Sequence, residues 1–172
     1  MLNRAQFAGI WVLVATLVAG CTQSNDANTQ TGDAAGPDAA YLLASMPADV
    51  QGVEEARNQS QNDEEVAVEG RIGGVEKPFV DGIAAFTLID TKLHWCADDE
   101  GCPTPWDYCC SDKTGKLATV KVIGTDGQPV SKDARSLLGV KELSKVVVCG
   151  KAQRDDEGNL TVLAEKVHVV QQ

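Results

Sequence analysis

The feature that most constrains this chain is a series of short, β-branched runs after Glu64, separated by pieces rich in glycine, proline and aspartate. Val66 and Val68 alternate with Ala67 and Glu69 ahead of Gly70-Arg71-Ile72-Gly73-Gly74. Such alternation places one set of side chains on a buried face and the other in solvent. A turn-rich piece with Pro78 and Gly82 leads to a second run, Ile83–Asp90. Leu117–Ile123 is a third run and ends at the turn signal Thr125-Asp126-Gly127. Ala134–Leu143 carries Leu137, Leu138 and Val140 and predicts a short helix. Lys145–Ala152 and Leu160–Val170 are the fourth and fifth strands, joined by Asp155-Asp156-Glu157-Gly158-Asn159.

The order β-β-β-α-β-β resembles that of the OB-fold, a small five-stranded Greek-key barrel. Val68-x-Gly70-x-Ile72 followed by Ala85-Phe86-x-Leu88-x-Asp90 is similar to the opening hairpin of such domains. Val146-x-Val148-x-Gly150-x-Ala152 is similar to their fourth strand. The expectation is a mainly β domain over 64–172 with one short helix. Residues 21–63 would precede it as a tether. Residues 22–40 lack any large apolar side chain and cannot bury enough surface to offset their ordering entropy. Within 41–63, Pro47, Val50, Val53 and Ala56 allow a short helix on the domain edge.

The N-terminus reads as an address. Arg4 precedes the apolar stretch Ile10–Ala19, which is too short to span a bilayer needing about 20 apolar residues. Leu17-Val18-Ala19-Gly20-Cys21 resembles the bacterial lipobox. That resemblance implies cleavage of residues 1–20, acylation of Cys21 and attachment to a membrane. Thr22 follows instead of aspartate, which by resemblance to enterobacterial sorting favours the outer membrane, facing the periplasm. With 25 acidic against 15 basic residues the chain carries −10, and 5% aromatic content leaves few rings for stacking bases. Both argue against nucleic acid unless Arg71, Lys77, Lys92, Lys121 and Lys151 form one cationic strip.

Chemistry is concentrated in the insertion 91–116. It holds Cys96, Cys102, Cys109 and Cys110, with His94, Trp95, Trp106, Asp107 and Tyr108. An ordered connection this long is functional, stapled, or both. In an oxidising envelope the first expectation is two disulfides among the four cysteines, in an order the sequence leaves open. A second is a zinc or copper site using His94, Cys96, Cys102, Cys109 and Cys110. Adjacent cysteines are awkward ligands for one tetrahedral ion, and the spacing is not that of a paired knuckle. Thiol exchange is a third, weakened by the acidic surroundings and the lack of Cys-x-x-Cys. Aspartates 98, 99 and 107 with Glu100 read as a solvated face. Trp95, Trp106, Asp107 and Tyr108 are a candidate recognition patch, or a cap on the barrel end. Cys149 reads as a small buried hydrophobe and His168 as an ordinary strand residue.

The pair Gly73-Gly74 with Pro78-Phe79, and Thr104-Pro105-Trp106-Asp107-Tyr108-Cys109-Cys110, resemble motifs of a group of planctomycete-like bacterial lipoproteins. That resemblance implies the architecture and no mechanism. Serine–histidine–aspartate and phosphate-loop patterns are absent, and Gly70–Gly74 joins no strand to a helix. The expected role is a non-enzymatic envelope lipoprotein, presenting a disulfide-stapled loop to a protein partner. The alternatives are metal handling or thiol redox at that loop, and oligonucleotide or oligosaccharide binding on the barrel.

Overall fold

The computed structural model describes residues 36–96 and 101–170. The signal segment 1–20, Cys21, the first part of the tether and the acidic residues 98–100 lie outside them. The described chain is mainly β.

Among the described residues, seven strands form one sheet. They are β1 (Val50–Gly52), β2 (Glu65–Ile72), β3 (Phe79–Val80), β4 (Ala85–Ile89), β5 (Leu117–Val122), β6 (Lys145–Arg154) and β7 (Leu160–Val169). Their order is β1-β2-β6-β7-β5-β4-β3, and β2 pairs additionally with β4 through Arg71–Ile89 and Ile72–Leu88. β1–β2 and β5–β7 are parallel; the other pairs are antiparallel. Five strands coincide with the five apolar runs. β1 and β3 are additions, with three and two residues, too short to show an alternation.

Period-two alternation builds the core. Val66, Val68, Gly70 and Ile72 of β2 point inward, as do Ala118, Val120 and Val122 of β5. They pack with Phe86 and Leu88 of β4, Val146 and Val148 of β6, and Val162 and Val167 of β7. Gly150 of β6 lies at a register shift against β7. A Cβ there would stand 1.9 Å from the Leu163 carbonyl oxygen, so the backbone crossing at that point requires glycine.

Among the described residues, two α-helices pack on the sheet. Helix α2 (Ala134–Leu138) buries Ala134, Leu137 and Leu138. It ends well before the expected Leu143, because Gly139 takes a left-handed conformation (φ 70°) and stops it. Asp133 caps its start by accepting the Arg135 N–H. Helix α1 (Val53–Gln59) buries Val53 and Ala56 completely. It begins six residues after Pro47, since Val50–Gly52 is drawn into parallel pairing with Ala67–Glu69. Its first turn is capped from a distance: fully buried Asp90, just after β4, accepts the Glu54 N–H at 2.9 Å and the Lys92 N–H at 2.9 Å. At its other end the Arg154 guanidinium donates to the Arg57 and Ser60 carbonyls. The folded unit therefore starts before Glu64: residues 50–59 are part of it, and Val53 and Ala56 belong to its core.

Candidate metal centre

The insertion leaves the sheet after β4 and returns at β5. Its middle is fixed by Pro105–Asp107, a single 3-10 turn, followed by Tyr108 in a left-handed conformation (φ 55°). Asp107 organises this corner. One of its oxygens accepts the Cys109 N–H at 2.7 Å, and the other accepts the Thr104 hydroxyl at 2.9 Å. These bonds, the Thr104 one foremost, hold the Asp107 carboxyl below the usual range.

The corner is docked on the Gly73–Gly74 backbone. The Gly74 N–H donates to the Trp106 carbonyl at 2.7 Å. The Trp106 indole N–H donates to the Glu76 carbonyl at 2.9 Å. Lys113 Nζ donates to the carbonyls of Gly74 (2.9 Å) and Asp107 (2.8 Å). A Cβ on Gly73 would sit 2.5 Å from the Trp106 carbonyl oxygen, so only glycine admits this approach. Tyr108 is fully buried, its ring edge beside Gly73, and burial raises its phenol pKa.

This docking brings four sulfurs together. The Sγ atoms of Cys96, Cys102, Cys109 and Cys110 all lie within 4.8 Å of one another. Cys102–Cys109 is 3.3 Å, Cys96–Cys109 3.5 Å, Cys96–Cys110 3.6 Å and Cys109–Cys110 3.6 Å. A disulfide needs about 2.05 Å. A tetrahedral zinc with Zn–S of about 2.3 Å needs sulfurs about 3.8 Å apart. The observed spacings stand close to the second distance and far from the first. The cysteines of the described residues are free thiols, so the expected disulfide staple is not what holds this loop. Hydrogen bonds to the Gly73–Gly74 backbone and the buried Tyr108 do so.

The thiols are electrostatically coupled. The Cys102 sulfur, then those of Cys109 and Cys110, favours the Cys96 thiolate and lowers its pKa. Cys102 is pushed up to about 11, first by its bond to Cys96. Cys109 is raised further, first by Cys102 and then by Cys96 and Cys110. Without a cation, the cluster favours one thiolate and resists forming more; a soft cation relieves that repulsion.

Several sequence expectations change. Cys109 and Cys110 both place their sulfurs in the cluster, 3.6 Å apart; adjacency is no barrier. His94 is not in the sulfur group; its carbonyl accepts the Ser111 hydroxyl. Tyr108 is a core residue and not part of an exposed patch. Trp106 is half-buried, while Trp95 remains 41% exposed with the Arg71 guanidinium 4.6 Å from its ring centroid. Cys149 is half-buried on β6 opposite Ala67, with its thiol pKa raised by burial, and stands outside the group. His168 is a strand residue, its Nδ1 at 2.9 Å from the Leu43 carbonyl. Sequence reasoning missed Glu76 and Lys113 as clamp residues. Lys113 carries no local signal, whereas Gly73-Gly74 is visible in the sequence as a glycine kink closing the first strand.

No protein-family model matches the chain, and no curated protein matches it. Among solved structures it is similar to one described as an aspartyl-tRNA synthetase from Leishmania major Friedlin, at 13% identity and a TM-score of 0.42. The match covers 81% of this chain and spans 24% of the length of the other.

Proposed function

We propose that this chain is an exported, acyl-anchored envelope lipoprotein whose OB-like barrel carries a four-thiolate centre for a soft or borderline metal ion. The carrying observation is the sulfur geometry: four Sγ atoms within 4.8 Å of one another, at spacings suited to ligands of one ion and not to bonded pairs. Thiolate donors select zinc or Cu⁺ over harder cations. The barrel reading is supported by the pairings β2–β6, β6–β7, β7–β5, β5–β4 and β4–β2, which form a circuit of five strands. In that circuit the third and fifth strands run parallel, and α2 falls between the third and fourth. The anchor reading is supported by the Leu17–Cys21 sequence and the polar tract behind it. The role is binding and not catalysis, and the partners are the membrane and a protein of the envelope.

Native mass spectrometry and elemental analysis of the reduced full chain, after incubation with Zn²⁺ or Cu⁺ in separate arms, test the metal centre. One ion per chain is expected in at least one arm, lost in Cys96→Ser and retained in Cys149→Ser. Chains with no ion in either arm, or with binding that depends on Cys149, overturn the assignment.

A further inference from the structure

The four sulfurs are not equivalent. Cys96 is 2% exposed, Cys102 is half-buried, and Cys109 and Cys110 are exposed. The exposed pair follows the part of the loop that the fold fixes most firmly. Buried Tyr108 immediately precedes it, and the Trp106 carbonyl and indole, the Asp107 carbonyl and the Cys109 N–H are all hydrogen-bonded. None of those bonds involves a sulfur. The corner is therefore set by Gly73–Gly74, Glu76 and Lys113, not by whatever the sulfurs hold.

This combination is the reverse of what a purely structural zinc site requires. There the ligands gather only when the ion binds, and losing the ion unfolds the module. Here two ligands are pre-positioned and open to solvent, and a third, Cys96, is enclosed. We propose, resting on the four-thiolate reading above, that the centre is an exchange site. A thiolate from a small molecule or a partner protein reaches the ion across the Cys109–Cys110 edge while Cys96 remains as the buried anchor. In the exchange step the bond from the ion to Cys110 Sγ breaks and one to the incoming sulfur forms. The proton of the incoming thiol passes to the departing Cys110 thiolate, and no electron changes hands. Repetition at Cys109 and Cys102, and last at Cys96, each with one incoming sulfur and one proton passed to the departing thiolate, completes the transfer.

The test uses the full chain, reduced and loaded with one equivalent of Zn²⁺. Release to a fixed trapping concentration of pyridylazoresorcinol is followed while glutathione is raised. The expected rate rises in proportion to glutathione. Amide hydrogen exchange at Gly74, Asp107 and Cys109 is expected to be the same with and without zinc. A rate indifferent to glutathione, or loss of amide protection at those positions on zinc removal, overturns the exchange proposal and leaves the metal centre standing. Failure to load zinc or Cu⁺ at all removes the metal centre itself, so the two failures are distinct.

Discussion

At the scale of single residues, the loop shows how a backbone conformation decides ligand chemistry. Adjacent cysteines normally diverge, yet Cys109 and Cys110, directly after Tyr108 at φ 55°, place their sulfurs 3.6 Å apart. The same cluster sets a pH dependence. A metal must displace the protons on Cys102, whose pKa is pushed up to about 11, and on Cys109, raised further by its sulfur neighbours. Both thiols are protonated at neutral pH in the metal-free protein, so binding releases their protons. Lowering pH adds competing protons and weakens binding; raising it strengthens binding until the raised thiol pKa values are passed. Competition titrations between pH 6.5 and 8.5 are expected to show affinity rising at least a hundredfold per pH unit, which is about two protons per ion. A pH-independent affinity would mean that the raised thiols are not ligands. The four cysteines were legible in the sequence as a concentration of sulfur, but their state was not. Disulfide and metal site differ by about 1.7 Å in sulfur spacing, and that spacing depends on the docking of Trp106 and Tyr108 against glycines more than thirty residues away.

At the scale of elements, legibility follows length. The five longer strands were readable because alternation over five or more residues leaves a pattern. β1 and β3, at three and two residues, leave none. Helix α1 was visible as an apolar spacing, but its start is dictated by Asp90, which lies 36 positions away in sequence. The consequence is a domain boundary ahead of Glu64. A chain beginning at residue 64 lacks β1, α1 and the fully buried Val53 and Ala56, and leaves Asp90 without its Glu54 partner. Losing the Val53 side chain alone removes about 1.5–3 kcal/mol of burial, and Asp90 keeps its bond to the Lys92 N–H but loses the one to Glu54. The shortened chain is expected to melt well below one starting at Gly36, or to be largely unfolded, in thermal denaturation followed by circular dichroism. Equal melting temperatures would show that β1 and α1 contribute nothing to the fold.

At the scale of the whole molecule, the readings depend on one another through the compartment. Outside the cytoplasm, cysteines ordinarily become disulfides, so a cluster of free thiols there must be protected. A bound soft cation provides such protection, because a thiolate donating to a metal is a poorer nucleophile toward oxidants than a free one. A barrel with a surface loop of this kind, tied to a membrane, would hold its ion within reach of partners at the same surface. This ties the anchor to the sulfur chemistry and makes the placement worth testing directly. Acyl chains contribute about 0.8 kcal/mol per buried CH₂, and stable attachment takes more than one chain. The native chain is therefore expected in the membrane fraction and soluble in mild detergent, with its N-terminus at Cys21. Cys21→Ala is expected to abolish acylation and leave an uncleaved precursor, as judged by mass and by metabolic labelling with palmitate. Its domain melting temperature should remain that of the native chain, since the buried core runs from Val53 to Val167. If the variant is labelled and processed like the native chain, the lipobox reading fails and the thiols lose their oxidising setting. The sulfur geometry would then stand equally well for a metal centre in a reducing compartment.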